Sequence, residues 1–570
     1  MSTPRAVRII TEVAAVDRAF DYRLSATSER AQLGDRVRVD FNHRSVRGWV
    51  MGEVEATPDL KEVTKWLGYG PPSSLLALLE WASDRWYGPV SRFLVAASTR
   101  RLVATLPEPP ERKDVGSDAN FEEPVLRAGI VQVAPTTDPM SIIVSAYEAT
   151  LERAGSLLVL VPTESWASRL RARLERRGYS VAAGEAEWDR MRSGWPVVVG
   201  ARGAALAPLS RLCGAVIIDA DDESYVSHAT PTWNAFTMLQ ERCRRDDAPL
   251  WATSMLPSAK MVGLAAFQRL PDLEHGWPSV DFVDRRLSDP HDGVLSRESL
   301  EAAHEALATD EAVAVVVVLQ RLGSGRLFAC SRCGELARCA SCGQGEREVG
   351  TLIACDQAHE PRQKYCRHCG ATSLKAVRAG VATLARDVSA QLSRGVSELT
   401  AASPLDAPLE RVVVGTEAVW QRVRRCALVI FVDFDQYLLA PRASARREAI
   451  MAVGKAGRLV GARSQGRGAV MVQTRRGNDP VVESLRSGNF DSIIDDEVET
   501  ARLLGLAPFG AQATVSGPGA RAFVEQLSAR DLVVHQSGDV FTLNAPDVVT
   551  LSRSLSDVRR PSQRVRVAVE

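Results

Sequence analysis

Short, fully apolar runs recur through the middle of this chain and constrain its fold more than any other feature. A first series, LLVLVP, VVVGA, GAVIID and LWATS, alternates with helical segments between residues 128 and 270. A second series follows with AVAVVVVL, RVVVGT, ALVIFVDFD and GAVMVQT. Runs without polar alternation are typical of parallel strands that crossover helices cover on both faces. The sequence therefore predicts an α/β fold with two similar lobes.

The flanking segments have different patterns. Residues 5–54 alternate apolar and polar positions between turn signals, which predicts a small β-rich module, and SSLLALLEWASDRWYG after it has helical spacing. The stretch 106–127 is rich in proline and charge and reads as a linker. We therefore predict an N-terminal domain (1–105), a linker (106–127), lobe 1 (128–270), lobe 2 (271–327 and 375–480) with an insertion (328–374), and a C-terminal α+β domain (481–570).

Composition excludes several classes of protein. The chain has 570 residues, 45% of them hydrophobic and 25% charged, which is typical of a globular protein of several domains. No run of eighteen apolar residues predicts a membrane span, and the N-terminus has no signal-peptide pattern, so we expect a cytoplasmic protein without membrane partners. Net charge is zero, yet residues 411–476 hold thirteen basic and four acidic residues. This block fits either a polyanion partner or a solvated positive face.

Seven of the ten cysteines lie between residues 330 and 369, in three CxxC pairs with one cysteine left over. Each CxxC pair places two thiolates on one turn, which suits tetrahedral zinc. The seven cysteines are too many for one site and one too few for two all-cysteine sites. Ala358 stands where an eighth ligand would be needed, whereas His359 follows it and offers a nitrogen. We expect at least one structural zinc, because a closed four-ligand site leaves no position for a reacting water.

Several segments together resemble the PriA family of primosomal replication-restart DNA helicases. The resemblance covers nearly the whole chain and rests on the cysteine ribbon and on four other segments: VDRAFDYRLSA…LGDRVRVDFNHRSVRGWV (16–50), VVVGARGAALAPLSRLCGAVIID (197–219), VDFDQYLLAPRASARREA (432–449) and LAPFGAQATVSG (506–517). It implies two RecA-like lobes, a two-zinc insertion in the second lobe, and an N-terminal domain that binds DNA 3′ ends.

The resemblance also implies roles for particular residues. Phe20, Asp21 and Tyr22 match the family motif in the pocket for the 3′-terminal nucleotide, where an aromatic face stacks a base and a carboxylate accepts from a hydroxyl. The family's nested pairing joins Cys330 and Cys333 to Cys366 and Cys369. The second zinc site is then left with Cys339, Cys342, Cys355 and His359.

The segments that would bind and hydrolyse ATP do not match the family. A P-loop needs Gly-x4-Gly-Lys-Ser/Thr, but TTDPMSIIVSAYEA follows the first strand of lobe 1 without glycine or lysine. In the second motif Asp219 is kept and Ala220 replaces the catalytic glutamate, while we expect Asp221 and Asp222 to form a solvated acidic strand end rather than a metal site. In the sixth motif Met451 and Lys455 replace glutamine and arginine, and only Arg458 remains.

These losses predict a degenerate nucleotide site at Asp219, Asp221, Lys455 and Arg458, with no ATP and no catalytic residue. The expected function is that of a non-catalytic protein that binds forks, 3′ ends and single-stranded DNA and helps to load primosome proteins and the replicative helicase. This matches the form of the family found in actinobacteria. Two alternatives stay open: an active ATP-dependent 3′→5′ helicase, and a zinc-ribbon scaffold that docks other proteins.

Overall fold

The computed structural model describes most of the chain, namely residues 5–13, 18–115, 124–263, 266–273, 275–289, 292–320, 328–341, 345–349, 352–355, 360–376, 381–404, 406–440, 442–527, 532–558 and 563–570. Within these ranges no helix combines the length and the apolar character that a membrane crossing needs.

The N-terminal domain is a five-stranded antiparallel sheet in the order β2-β1-β4-β3-β5. Asn42 and His43 both have positive φ angles, 49° and 61°, and form the two-residue hairpin turn that the sequence predicts. The Arg36 side chain donates to the carbonyl oxygens of Thr99 and Arg101 and so holds the segment after the helices against the sheet. The elements are β1 (Ala6–Thr11), β2 (Ala19–Arg23), β3 (Arg36–Phe41), β4 (Arg44–Val54), β5 (Val63–Gly68), α1 (Ser73–Arg85) and α2 (Val90–Ala96).

Lobe 1 is a seven-stranded sheet in the order β12-β6-β11-β10-β7-β9-β8, and its strands pair in parallel. Its apolar runs form the central strands, as predicted, because both faces of the sheet are covered. The elements are β6 (Gly129–Gln132), α3 (Pro139–Ala149), β7 (Ser156–Leu160), α4 (Glu164–Arg176), β8 (Val181–Ala183), α5 (Trp188–Ser193), β9 (Val197–Gly200), β10 (Leu212–Ile217), α6 (Ala235–Arg245), β11 (Leu250–Ser254), α7 (Ala259–Val262) and β12 (Phe267–Arg269).

Lobe 2 is a six-stranded parallel sheet in the order β13-β22-β21-β14-β20-β19. Its elements, apart from the insertion after β14, are β13 (Ser279–Asp284), α8 (Arg297–Leu307), β14 (Val315–Val318), α9 (Val381–Leu392), β19 (Ser397–Leu399), β20 (Val412–Gly415), α10 (Val419–Arg422), β21 (Leu428–Phe431), α11 (Asp435–Leu438), α12 (Ala445–Val460), β22 (Ala469–Thr474), α13 (Pro480–Ser487) and α14 (Asp491–Leu503).

The last two of these helices correct the expected start of the C-terminal domain at residue 481. Val481 and Leu485 on α13, and Ile493 on α14, pack in the same apolar core as Phe431 and Val453 of lobe 2. Lobe 2 therefore continues to about residue 503, because both helices bury their apolar faces against α12.

The insertion and the C-terminal domain are small. In the insertion β15 (Phe328–Cys330) pairs with β18 (Leu374–Ala376), and β16 (Arg347–Val349) pairs with β17 (Leu352–Ala354), all antiparallel. Ala329 and Leu336 pack against Leu439 and join the insertion to lobe 2. The C-terminal sheet has the order β24-β25-β23-β26 and shares an apolar core with α1 and lobe 1. Its elements are β23 (Ala511–Ser516), α15 (Ala520–Val524), β24 (Val533–Ser537), β25 (Val540–Ala545), α16 (Val548–Ser556) and β26 (Arg566–Val569).

Candidate functional site

Four cysteines of the insertion converge on one point. The Sγ atoms of Cys330 and Cys369 lie 3.5 Å apart, those of Cys333 and Cys366 lie 3.6 Å apart, and all four lie within 4.8 Å of one another. The strand pair β15–β18 brings the two CxxC turns together, since the first turn follows β15 and the second precedes β18. The geometry therefore joins Cys330 and Cys333 to Cys366 and Cys369, which is the nested pairing expected from the sequence.

The donor set fits a tetrahedral zinc ion. Zn–S bonds of about 2.3 Å separate neighbouring sulfur atoms by about 3.8 Å, and the observed distances of 3.5 and 3.6 Å are close to that value. A disulfide would need about 2.05 Å. The backbone N–H of Arg332 donates to the Cys330 Sγ at 3.4 Å, which favours the thiolate that a metal requires.

The second predicted zinc site is only half described. Cys339 and Cys355 are both buried, whereas Cys342 and His359 lie outside the described residues. Nearby, Arg362 donates to both carboxylate oxygens of Glu346 in a buried ion pair. The ion pair between the Arg362 and Glu346 side chains stabilises the insertion. The second site stays a prediction.

Strand β2 distributes the three residues expected at the DNA 3′ end over two faces of the sheet. Tyr22 is buried, and its hydroxyl donates to the Asp40 carbonyl oxygen. Phe20 packs partly against the same core and contacts Phe41 edge-on at 4.8 Å. Asp21 faces the other way and accepts from Arg8 at 3.0 and 3.3 Å, because successive side chains of a strand point to opposite faces. The structure thus does not bring the three side chains into one pocket.

The loop between β6 and α3 stands where a P-loop would bind phosphate. In a P-loop the free N–H groups of the following helix bind the phosphates. Here the Asp138 carboxylate accepts from the Met140 N–H, and Pro139 has no N–H to offer. Arg173 in turn donates to both oxygens of Asp138. A carboxylate with its own counter-ion therefore occupies the end of the helix.

Asp219, the kept carboxylate of the second motif, is bound by lobe 2. Its side chain is 1% exposed, and Arg458 donates to its two oxygens at 2.5 and 2.7 Å. The Nε of Arg458 also donates to the Pro135 carbonyl oxygen of the loop after β6, at 3.1 Å. In ATPases this carboxylate helps to hold Mg²⁺, whereas here a guanidinium lies against it.

Two further ion pairs correct the expectation of a solvated acidic strand end. Asp221 accepts from Arg447 at 2.7 Å, and Asp222 accepts from the Lys455 ammonium at 2.8 Å. Arg447 also donates to Glu497 of α14. Because α12 lies directly over the end of β10, the carboxylates are covered and paired.

The two carboxylates respond differently to this environment. Burial raises the pKa of Asp221 to about 6, although the Arg447 guanidinium acts in the opposite direction. Burial would also raise the pKa of Asp222, but the Lys455 ammonium outweighs it and holds that pKa below its ordinary value. The contact thus holds one carboxylate that titrates near neutral pH and one that stays ionised.

Two glycines of α12 allow neighbouring segments to approach the helix closely: Gly454 faces Met255 of lobe 1, and Gly457 faces Pro278 at the start of lobe 2. A Cβ at Gly454 would lie 2.8 Å from the Sδ of Met255, and one at Gly457 would lie 2.8 Å from the Pro278 ring and 3.5 Å from the Pro135 ring. Beside this contact a cleft of about 350 Å³ remains, lined among others by Thr137, Trp166, Arg425 and Arg467.

Comparison with known proteins finds relatives along most of the chain. The 3′DNA-binding domain family (3′BD) matches residues 8–98. The replication restart protein PriA of Treponema pallidum is 25% identical over 87% of this chain and 84% of its own length. PriA of Mycobacterium tuberculosis is 26% identical over 88% and 85%, and PriA of Thermotoga maritima is 23% identical over 63% and 52%.

The chain is thus similar to the PriA proteins over most of its length. Solved structures with a similar fold include RecG bound to a three-way DNA junction, with 11% identity, a TM-score of 0.36, and coverage of 75% of this chain and 51% of RecG. Another is Dbp5 of S. cerevisiae bound to RNA and ADP BeF3, with 12% identity, a TM-score of 0.35, and coverage of 65% and 84%. The two parallel sheets of this chain are those that its apolar runs predict.

The basic block of this chain differs from both expectations for it. Seven of the thirteen basic residues between 411 and 476 form ion pairs with carboxylates: Arg425, Arg442, Arg446, Arg447, Lys455, Arg458 and Arg476. Three of them hold the lobes together. The three inter-lobe cations thus form an internal electrostatic contact, whereas Arg425, Arg442 and Arg446 form their ion pairs at the surface.

Sequence reasoning missed two groups that the structure makes important. Arg447 and Glu497 are 50 residues apart and have no local signal that joins them. Asp138 does have a local sequence signal, because an aspartate followed by proline is a typical helix start. That signal alone indicates that the helix end is already capped.

Proposed function

We propose that this chain is a replication restart protein that binds branched DNA with a 3′ end and helps to assemble the primosome without hydrolysing ATP. The N-terminal match to the 3′DNA-binding domain and the PriA relatives support the DNA-binding part. The absence of a P-loop lysine from the sequence supports the non-catalytic part.

The observation that carries the non-catalytic part is the ion pair between Asp219 and Arg458. A carboxylate that is to hold Mg²⁺ must be accessible, and an arginine finger must reach transferred phosphate. Here the Asp219 carboxylate and the Arg458 guanidinium neutralise each other. Asp219 is therefore not free to hold Mg²⁺, and Arg458 is not free to reach a transferred phosphate.

DNA binding is tested by fluorescence anisotropy on labelled forks with and without a leading-strand 3′-OH. We expect tighter binding when the 3′-OH is present, and weaker binding by Phe20→Ala and Asp21→Ala variants. Equal affinity for the two forks would contradict recognition of the 3′ end. Unchanged affinity of both variants would instead favour a protein-docking scaffold.

The cysteine cluster is proposed to hold one zinc ion that stabilises the insertion, since such sites contribute folding energy. We expect metal analysis to lose about one zinc equivalent when Cys366 is changed to Ser. Cys426→Ala is the matched control, because Cys426 is buried outside the insertion. Equal zinc content in the two variants would contradict the assignment.

A further inference from the structure

Three cations lie in a row across the solvent face of the N-terminal sheet. Arg38 on β3 is directly opposite Arg47 on β4 and Lys65 on β5. All three side chains are exposed. We call this set the cation row.

The strand pattern fixes which face these side chains occupy. Val37 and Val39, the neighbours of Arg38 along β3, are fully buried in the core of the domain. Because side chains alternate along a strand, Arg38 points away from that core. On the same outer face, Ile10 and Trp49 lie opposite each other and pack in the core that includes α1 and α2. The cation row lies beyond this covered part and is open to solvent.

No ion pair joins the cation row to a carboxylate within the described ranges. Other arginines of the same domain do have such partners: Arg5 pairs with Glu53, Arg8 with Asp21, and Arg23 with Glu62.

The acidic neighbours of the row leave it positively charged. Glu12 follows β1 beside Arg47, and its N–H donates to the Arg47 carbonyl oxygen. Asp40 lies two residues along β3 from Arg38, opposite Ser45. Like charges directly opposite on neighbouring strands are destabilising. The row therefore lowers the stability of the isolated domain, and an anionic partner would relieve the repulsion.

We propose that the cation row binds the phosphate backbone of a nucleic-acid strand. Neighbouring strands are about 4.8 Å apart, so the three cations extend over about 10 Å. Successive phosphates of a DNA strand rise by about 3.4 Å along the helix axis and lie farther apart than this along the strand itself, so the row is long enough to contact two successive phosphates. Such contacts position the nucleic acid without reading its sequence. This inference rests on the DNA binding proposed above and adds a backbone contact separate from the 3′-end residues.

The test compares the double variant Arg38→Gln/Arg47→Gln with the control Arg5→Gln/Arg23→Gln, which removes two paired cations of the same domain. The full-length proteins are titrated with a labelled fork between about 50 and 200 mM NaCl. Each lost phosphate contact lowers the slope of log Kd against log salt by about 0.9 on duplex and about 0.7 on single strands. We expect the test slope to fall by about 1.4–1.8, the control slope to change by less than half of that, and Lys65→Gln to lower the test slope further.

Thermal unfolding gives a second readout. Since Gln removes like-charge repulsion, we expect the test variant to unfold at the same temperature as the wild type or above it. A wild-type slope in the folded test variant would overturn the cation row while leaving the proposed function intact. Failure of the wild type to bind any fork would overturn the proposed function and the cation row together.

Discussion

The side chain of Asp221 is a buried carboxylate, and its protonation should change the free energy of unfolding of the protein. Its folded pKa of about 6 is above its ordinary value of 3.8, so the folded state binds the proton more tightly than the unfolded state does. The contribution of Asp221 to stability is therefore complete below about pH 4 and is lost as the pH rises to about 6. We expect the wild type to lose about 2 kcal/mol relative to Asp221→Asn between pH 4 and 6, measured by urea unfolding.

Asp222→Asn is the matched control, because Asp222 lies one residue away in the same contact. Its pKa is held below 3.8 by Lys455, so it stays ionised in both states above about pH 4. We expect a constant stability difference between this variant and the wild type from pH 4 to 6. If the stability difference from the wild type changed with pH by the same amount for Asp221→Asn and Asp222→Asn, the assignment to Asp221 would be contradicted.

Single residues show where sequence reasoning ends. The place of Cys330 in a cluster of cysteines followed from the spacing of its CxxC pair, since a CxxC turn is a local arrangement. The burial of Asp221 did not follow, because its partner Arg447 lies 226 residues away. The Phe20–Asp21–Tyr22 motif predicts one pocket for all three side chains. Because side chains alternate along the strand, Asp21 instead lies on the opposite face of the sheet from Phe20 and Tyr22.

Among the elements, α12 packs closely against Pro278, the residue that precedes β13 in lobe 2. A methyl group at position 457 would meet the Pro278 ring at 2.8 Å, and a buried proline ring has little freedom to move. We expect Gly457→Ala to lower the stability of the protein by about 1–3 kcal/mol through overpacking, measured by thermal or urea unfolding.

Gly203→Ala is the control for this variant. An added Cβ there meets nothing within 4 Å, and its φ is not in the left-handed region. We expect a change below about 0.5 kcal/mol. Equal effects of the two substitutions would show that steric contact with Pro278 is not the cause.

The elements of both lobes were the most predictable part of the fold. Apolar runs such as VVVV at 315–318 became buried parallel strands, because a run without alternation fits only a strand covered on both faces. The end of lobe 2 was less predictable. The apolar faces of α13 and α14 fit either lobe 2 or a separate domain until α12 is placed against them.

At the scale of the whole molecule, three ion pairs join lobe 1 to lobe 2. Asp219–Arg458, Asp221–Arg447 and Asp222–Lys455 all join lobe 1 to α12. We therefore expect the radius of gyration from small-angle X-ray scattering to be the same with and without a magnesium–ATP analogue.

A triple variant with glutamine at positions 447, 455 and 458 tests the cause of this closed arrangement. Removing one partner of a buried ion pair leaves the other charge uncompensated, so we expect the lobes to separate and the radius of gyration to rise. Circular dichroism verifies that the variant is folded. Compaction of the wild type by the nucleotide would contradict the closed arrangement.

A DNA-stimulated ATPase assay on zinc-replete protein tests most directly the proposal that this chain acts on DNA without hydrolysing ATP. The assay includes a fork that the same preparation binds by anisotropy. We expect ATP turnover of the wild type to equal that of the Asp219→Asn variant, with fork binding intact. Turnover by the wild type that Asp219→Asn abolishes would contradict it.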